Sequence, residues 1–295
     1  MKHFVIFIVK ILGLLLLLAL ALDFCYTAIF THSVSRNKVE FVWNSPPQNY
    51  DVVFLGTSRA NNHFVAPLFE EQGISAYNFG MSGSHLFEAS LLLKKMLANK
   101  WQLKNCIIET DLNLSNEKRD DGTFARFMPF LHQDTLVAQH IKHEPDFNAL
   151  YYVPFYRYIR FDAKIGTRAC YKTLLQEPTN TLSHLGYYAL GHNPKANMKN
   201  DIRNLKPLRN KYYEEIKALC KANGIQLIAV TTPMCSNVKG RTYFEKVQKI
   251  YPEIIPMEHY VRGDAYFSSC GHLNDAGAKL FTGKVLKTLK DKLNK

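Results

Sequence analysis

The sequence predicts an α/β fold with a mainly parallel sheet, preceded by an apolar N-terminal segment. Short apolar runs that end at glycine or another turn residue are typical of strands buried on both faces of a parallel sheet. Segments with helical periodicity alternate with these runs, as the connections between parallel strands require. The 295 residues are 47% apolar and 21% charged, which is close to the globular average and excludes a disordered or low-complexity chain.

The first element is an apolar N-terminal segment, predicted as a signal anchor over residues 1–32. Residues 4–22 are apolar except for Lys10, and the apolar character resumes after Asp23. A helix of roughly 20 such residues is long enough to cross the hydrocarbon core of a bilayer. Lys2 and Lys10 favour a cytoplasmic N-terminus, which exports the rest of the chain. The predicted localisation is the cell membrane, with one span and the following domain on the extracytoplasmic side.

A cleaved signal peptide is the alternative for this segment. Residues 11–18 would form its apolar region, and Ala19-Leu20-Ala21 would supply a cleavage site with small residues at both ends. The site lacks a polar stretch before it, and apolar sequence continues beyond it, so the anchor is favoured. Both interpretations export the remainder of the chain.

Residues 33–50 are polar, contain Pro46-Pro47, and are interpreted as a tether to a domain over residues 51–295. The chain carries 37 Lys and Arg against 25 Asp and Glu, a formal net charge of +12, which favours anionic surroundings. Nucleic acid is not expected as a partner, because the chain is exported and has no recognition motif.

Four strands and three helices are predicted in this domain. The strands are residues 51–55, 75–79, 106–109 and 225–230, and the helices are residues 86–98, 201–222 and 275–293. An insertion at about residues 116–200 is rich in aromatic and basic side chains. We expect it to fold as helices and loops over the carboxyl edge of the sheet, where α/β folds bind ligands.

Ser58 and His272 are the first candidates for chemistry. Gly56-Thr57-Ser58 follows the first strand directly, and a serine on such a turn exposes its hydroxyl as a nucleophile requires. His272 lies in a loop just before the last helix, from which an imidazole could reach the same sheet edge and act as a general base.

Four short blocks, in order, resemble those of the SGNH (GDSL-like) hydrolase superfamily from Asp51 to the C-terminus, outside the insertion. The blocks in this chain are Gly56-Thr57-Ser58, residues 78–83, residues 106–113, and His272-Leu273-Asn274 with Gly277. The resemblance implies a flavodoxin-like three-layer α/β/α fold of the SGNH type. It also implies Ser58 as nucleophile, His272 as base, and Gly83 and Asn113 as donors to an oxyanion.

Two positions depart from the pattern of the superfamily. The third block normally reads Gly-x-Asn-Asp, and only Asn113 is kept here. The superfamily places an Asp three residues before the base, where this chain has Ser269. Ser269 could orient the ring through its hydroxyl, Asp264 or Glu258 could substitute for the missing carboxylate, or a backbone carbonyl could complete a Ser–His dyad.

The resemblance predicts a serine esterase or O-acyltransferase that acts on ester-linked acyl groups of a cell-envelope or exported glycan. The expected partners are an acylated glycan or small ester, the membrane through the N-terminal helix, and envelope polysaccharide machinery. The alternative is a non-catalytic scaffold or binding protein of a surface-polymer modification system, which the missing Asp favours. No cofactor or metal is expected.

The six cysteines show no CxxC or Cys/His zinc spacing. Most of them are interpreted as buried thiols. A local disulfide beside His272 would join Cys235 and Cys270, because both lie near predicted loops at the strand edge.

Overall fold

The computed structural model describes residues 1–193 and 195–293. The protein is mixed α/β, with a mainly parallel sheet and a long apolar helix at the N-terminus. The chain divides into two compact units. The anchor unit comprises Met1–Asn44 and Phe124–Pro178, and the sheet unit comprises Ser45–Thr123 and Thr179–Lys295. Positions 194, 294 and 295, which the predicted insertion and domain include, lie outside the described residues.

The helices of the described chain range from a single turn to the 31 residues of the first one. They are α1 (Lys2–His32), α2 (Lys38–Asn44), α3 (Ser58–His63), α4 (Pro67–Glu70), α5 (Leu86–Ala98), α6 (Asp121–Phe124), α7 (Thr135–Ile141), α8 (Phe147–Tyr152), α9 (Tyr156–Arg160), α10 (Asp162–Ile165), α11 (Thr167–Leu174), α12 (Lys211–Ala222), α13 (Thr242–Ile250) and α14 (Asp275–Leu293).

The strands form one main sheet and two short two-stranded pairs. They are β1 (Asn49–Leu55), β2 (Ala76–Asn78), β3 (Gln102–Glu109), β4 (Asn200–Asp201), β5 (Gln226–Val230), β6 (Val238–Lys239), β7 (Phe267–Ser269) and β8 (His272–Leu273). The main sheet has the order β2-β1-β3-β5, and all of its neighbours are parallel. Because parallel strands end at the same edge, the loops after β1, β3 and β5 are brought together there.

The core of the sheet unit lies around β1 and β3, whose apolar runs at residues 52–55 and 106–108 are fully buried. Helix α5 packs against α12, and α14 packs against α3 and α4. The predicted bounds of α5 and α14 are confirmed. The helix predicted from Asp201 begins only at Lys211. Pro207 disfavours a helical conformation just before it, and the Asn210 side chain caps the helix by accepting from Tyr212 N and Tyr213 N.

Helix α2 occupies part of the segment predicted as a tether, so that prediction is wrong for residues 38–44. The helix buries Lys38, Val39, Glu40 and Val42 within the anchor unit. The charged residues make the segment look polar in sequence, but Val39 and Val42, three residues apart, lie on one helical face and provide the apolar stripe that folding requires.

The long insertion forms helices and loops, as predicted, but it is not a single segment of the sheet domain. Its residues 124–178 form helices α7–α11 and pack with α1 and α2 as one unit, whereas residues 179–200 belong to the sheet unit. Tyr158 illustrates the packing, because its ring lies 5.2 Å from that of Tyr26 and 6.2 Å from that of Phe30, centre to centre. The aromatic side chains that mark the insertion in sequence thus contribute to packing around the last turns of α1.

Candidate active site

Ser58 lies at the turn between β1 and α3, as the sequence predicts. Gly56 provides this turn with a φ of +136°, and a Cβ there would lie 2.9 Å from both Ala60 Cβ and Glu109 Cβ. Only glycine fits such a position without strain. Ser58 is the first residue of α3, so its backbone N–H has no partner within the helix and remains available as a donor.

His272 lies beside Ser58, although 214 positions separate them in the chain. The Nε2 atom of His272 is 2.8 Å from Ser58 Oγ, which is hydrogen-bonding distance. Burial lowers the pKa of His272, and the positive charge of Arg59 lowers it further, while Glu109 raises it. The ring is therefore neutral near pH 7 and able to accept a proton from the serine hydroxyl.

Ser269 contacts the other nitrogen of the same ring. Its Oγ lies 3.1 Å from His272 Nδ1. The contact follows from local pairing, because Ser269 on β7 lies directly opposite His272 on β8 in the antiparallel hairpin. Of the alternatives that the sequence leaves open, the structure therefore places the hydroxyl of Ser269 against the ring.

The two carboxylates considered as substitutes lie elsewhere, which corrects the assignment of Asp264 as a site residue. Asp264 Oδ1 accepts hydrogen bonds from Ser236 Oγ at 2.9 Å and from Ser236 N at 3.2 Å. Glu258 accepts a hydrogen bond from the hydroxyl of Thr231. Asp264 starts a short 3-10 helix that ends before β7 begins, so it is outside the hairpin register that brings Ser269 to His272.

Gly83 and Asn113 line the same cavity as Ser58 and His272, with a volume of about 270 Å³. Gly83 has a φ of +89°, and a Cβ there would lie 2.9 Å from Asp120 Oδ1. The Asn113 amide is held by two neighbours: Nδ2 donates to Glu109 at 3.3 Å, and Oδ1 lies 3.3 Å from His85 Nδ1. All lining residues belong to the sheet unit.

Glu109 is a site residue that the sequence reasoning missed. Its carboxylate is 1% exposed at the end of β3, and Oε2 accepts from Thr57 N at 3.0 Å and from Thr57 Oγ1 at 2.7 Å. Oε1 accepts from Asp111 N at 3.1 Å. Glu109 thereby joins the serine turn to the loop that carries Asn113. The available signal was a charged residue directly after the apolar run Cys106–Ile108, where polar residues at a sheet edge often serve a site.

A second connection at this edge is the buried ion pair of Arg59 and Asp111, with 3.1 Å between Nη2 and Oδ2. Arg59 also donates to the carbonyl of Thr232 at 2.7 Å, and Asp111 accepts from Thr232 N and Oγ1 at 2.7 and 2.6 Å. Arg59, the residue after Ser58, is thus tied to the loops that follow β3 and β5. These contacts keep the serine turn in a fixed position relative to the other loops.

The histidine loop is fixed by a disulfide and by a second histidine. Cys235 and Cys270 form a disulfide that links the loop after β5 to the turn between β7 and β8. This is the pair that the sequence singled out. His63 Nε2 accepts from Leu273 N at 3.0 Å, next to His272 in β8. Burial, together with the charge of Arg59, lowers the pKa of His63 well below its ordinary value and keeps it a neutral acceptor.

Comparisons with known proteins add little to this geometry. No protein-family model matches the chain, and no curated protein matches it. A solved structure from Streptococcus pneumonia, described as that of a candidate platelet activating factor, is similar at 13% sequence identity and a TM-score of 0.28. The match covers 97% of this chain and 98% of that one. Within the described residues, no group of three or more His, Cys, Asp or Glu side chains could hold a metal ion.

Proposed function

We propose that this chain is a serine esterase or O-acyltransferase in which Ser58, His272 and Ser269 act together. The observation that carries the proposal is the row of contacts from Ser58 Oγ to His272 Nε2 at 2.8 Å and from His272 Nδ1 to Ser269 Oγ at 3.1 Å. A nucleophile bonded to a base that a third group orients is the arrangement that activates a serine.

The reaction follows from the positions of these groups. Ser58 Oγ attacks the ester carbonyl as its proton passes to His272 Nε2, and the carbonyl electrons move onto oxygen. The N–H groups of Ser58 and Gly83 stabilise that oxyanion, and Asn113 Nδ2 joins them if it turns from Glu109. The alkoxide then takes the proton of His272 and leaves as the alcohol. The acyl group remains on Ser58 as an acyl-serine. Water or an acceptor hydroxyl then attacks the acyl group, His272 takes its proton, and Ser58 leaves and is reprotonated.

The order of the sheet and the pairing of its helices support an SGNH-type three-layer arrangement. The order β2-β1-β3-β5 with parallel neighbours matches the first four strands of flavodoxin-like sheets, which have one further strand. Right-handed crossovers put the connection from β1 to β2 on one face, and those from β2 to β3 and from β3 to β5 on the other. The packing of α14 with α3 and α4, and of α5 with α12, fits this division.

A glycan of the cell envelope is the substrate that we propose for this activity, with the sheet unit on the extracytoplasmic side. Helix α1 supports the membrane location, because it has a mean hydropathy of 3.0 over its best window and could be an anchor or a signal sequence. The net charge of +12 is suited to an anionic polymer or membrane surface.

A non-catalytic scaffold is the second candidate, and the specific observation in its favour is the absence of a carboxylate at position 269. Ester hydrolysis by the purified full chain distinguishes the two. We expect turnover of p-nitrophenyl acetate that is lost in Ser58→Ala and His272→Ala. The matched control is Ser236→Ala, since Ser236 is an exposed serine bonded to Asp264 and not to His272. A folded wild type without turnover would favour the scaffold. Transfer of the acyl group to an added glycan acceptor in competition with water would identify a transferase.

A further inference from the structure

Asp23 is a carboxylate within an apolar helix, and the anchor unit provides its partners. Asp23 Oδ1 accepts from Arg157 Nη2 at 2.8 Å, and Oδ2 accepts from the backbone N–H of Phe155 at 2.8 Å. Arg157 is only 1% exposed, and its Nη2 also donates to Thr27 Oγ1 at 3.0 Å. A buried charge requires such partners, so these contacts fix the start of α9 at the level of Asp23 on α1.

Helix α11 is attached to α1 near the same level. The hydroxyl of Tyr26 donates to Thr167 Oγ1 at 3.1 Å, and the Tyr26 ring meets that of Phe155 edge to face at 5.0 Å. The apolar part of α1 before Asp23 has no such cover: its most hydropathic window is 0% buried. Covered and uncovered parts of α1 therefore meet close to Asp23.

The length of the uncovered part matches a bilayer. Residues 4–22 form about 28 Å of helix at 1.5 Å per residue, and the hydrocarbon core of a bilayer is about 30 Å thick. If α1 spans a membrane, Asp23 lies where the hydrocarbon core meets the polar headgroups. Because α9 and α11 are bonded to α1 at that level, they lie at the same interface.

Both helices expose apolar side chains there. Helix α11 directs Cys170 and Thr173 inward, while Tyr171 and Leu174 and the adjoining Leu175 are each more than half exposed. These three follow the spacing i, i+3 and i+4, so they form one stripe on the outer face. Three more apolar residues that are at least half exposed lie on or beside α8 and α9, namely Tyr152, Val153 and Ile159.

Basic residues accompany this stripe. Arg160, Lys164 and Arg168 are exposed on α9, α10 and α11. Exposed leucine, isoleucine and tyrosine together with lysine and arginine are typical of helices that lie in a membrane interface, where apolar groups enter the acyl region and cations meet lipid phosphates. The cations alone would suit a helix that faces water, but an apolar stripe on the outer face is not typical of such a helix.

We propose that Tyr152, Val153, Ile159, Tyr171, Leu174 and Leu175 form an interfacial face that lies in the surface of the bilayer that α1 spans, on the side where α1 emerges. The occupant is phospholipid, because the face adjoins the membrane-spanning part of α1 and carries cations complementary to lipid phosphates. The anchor unit would then be held by its interfacial face as well as by its helix.

The test uses the full chain reconstituted at one copy per lipid nanodisc. Tyr171→Trp and Leu174→Trp each introduce a fluorescent reporter. The fluorescence of the wild type is subtracted, because it measures the contribution of Trp43 and Trp101. Lipids brominated at shallow acyl positions are expected to quench most of the added fluorescence. Leu15→Trp is the positive control, quenched best by deep bromines. Leu280→Trp, at an exposed apolar residue of α14 outside the interfacial face, is the comparison for quenching that does not depend on that face.

Reporters at 171 and 174 that stay unquenched while Leu15→Trp is quenched would overturn the proposal. With one copy per disc, a second chain cannot cover the interfacial face. Blue-shifted fluorescence that is not quenched would show an apolar environment other than lipid, and it would also contradict the proposal. Lys164→Glu with Arg168→Glu tests the charges. We expect the double variant to reduce quenching of Leu174→Trp in discs with anionic lipid, and undiminished quenching there would overturn the electrostatic part.

Discussion

The hydroxyl of Ser269 lies 3.1 Å from Nδ1 of His272, while Nε2 of the same ring faces Ser58 Oγ at 2.8 Å. A hydroxyl that accepts from Nδ1–H fixes the tautomer in which Nε2 has a free lone pair for the serine proton. It brings no negative charge, so it cannot stabilise the imidazolium that forms during attack as a carboxylate would.

Ser269→Asp is expected to raise the pKa of His272, because a carboxylate beside the ring favours its charged form. In the wild type, burial and the charge of Arg59 lower this pKa below its ordinary value of 6.5. The acid limb of kcat/KM therefore has its midpoint below that pH, and the variant shifts it to higher pH. Profiles of wild type, Ser269→Asp and the control Asp264→Asn test this. An unmoved midpoint in Ser269→Asp, or a moved one in Asp264→Asn, would contradict the assignment.

Asn113→Ala is expected to lower kcat by about 100-fold with little change in KM, because a donor to the oxyanion acts mainly in the transition state. Its amide contacts the Glu109 carboxylate at 3.3 Å in the unliganded site, a long hydrogen bond that substrate can replace. Asn116→Ala is the control, since the Asn116 side chain caps an exposed turn at Lys118 N. Unchanged kinetics with a lowered Tm in Asn113→Ala would assign this residue to loop structure alone.

The Cys235–Cys270 disulfide joins two residues that are 35 positions apart in the chain and so closes a loop. Cys270 lies two residues before His272. Replacing both cysteines by serine is expected to lower the free energy of unfolding by about 4 kcal/mol, which loop entropy predicts for this length. It should also lower kcat, because the turn that carries His272 gains freedom. Denaturant unfolding and ester turnover are measured together, with Cys25→Ser, an exposed free thiol, as control. Full activity in the double variant would show that the disulfide does not position His272.

Buried His63 predicts a loss of stability in acid. Its pKa is well below 6.5 in the folded chain, so below that pH the unfolded state binds more protons and the free energy of unfolding falls as the pH falls. The slope contributed by one such group approaches about 1.4 kcal/mol per pH unit. Urea unfolding at several pH values should show a shallower slope in His63→Gln than in the wild type or the exposed control His192→Gln. Equal slopes in all three would contradict a buried neutral His63.

The sequence predicted the strands of the main sheet and helices α5 and α14 because their signals are local. A buried run such as Val52–Leu55 or a periodic stretch such as Leu86–Ala98 needs no distant partner to be recognised. Helix α2 and the anchor unit were missed because their burial depends in part on contacts between distant segments, such as that of Trp43 with Phe127, 84 positions apart. The local pattern of apolar and polar residues contains no information about such distant pairs.

The site shows the same limit. Ser58 and His272 were indicated by their places beside a strand end and a helix start, Gly83 and Asn113 only by the resemblance of their blocks, and all four line one cavity. The partner of His272 Nδ1 stayed open among Ser269, Asp264, Glu258 and a backbone carbonyl because the choice depends on the register of the β7–β8 hairpin. Glu109 was missed because its role depends on Thr57, 52 positions away.

Covalent labelling of the full chain by a fluorophosphonate tests the central claim, that Ser58 is a nucleophile activated by His272. The reagent reacts with a serine whose proton a neighbouring base removes, and it needs no knowledge of the natural ester. We expect one label per chain, on the peptide that contains Ser58, with none in Ser58→Ala and slowed labelling in His272→Ala. A folded wild type that takes no label, or Ser58→Ala labelled as well as the wild type, would contradict it.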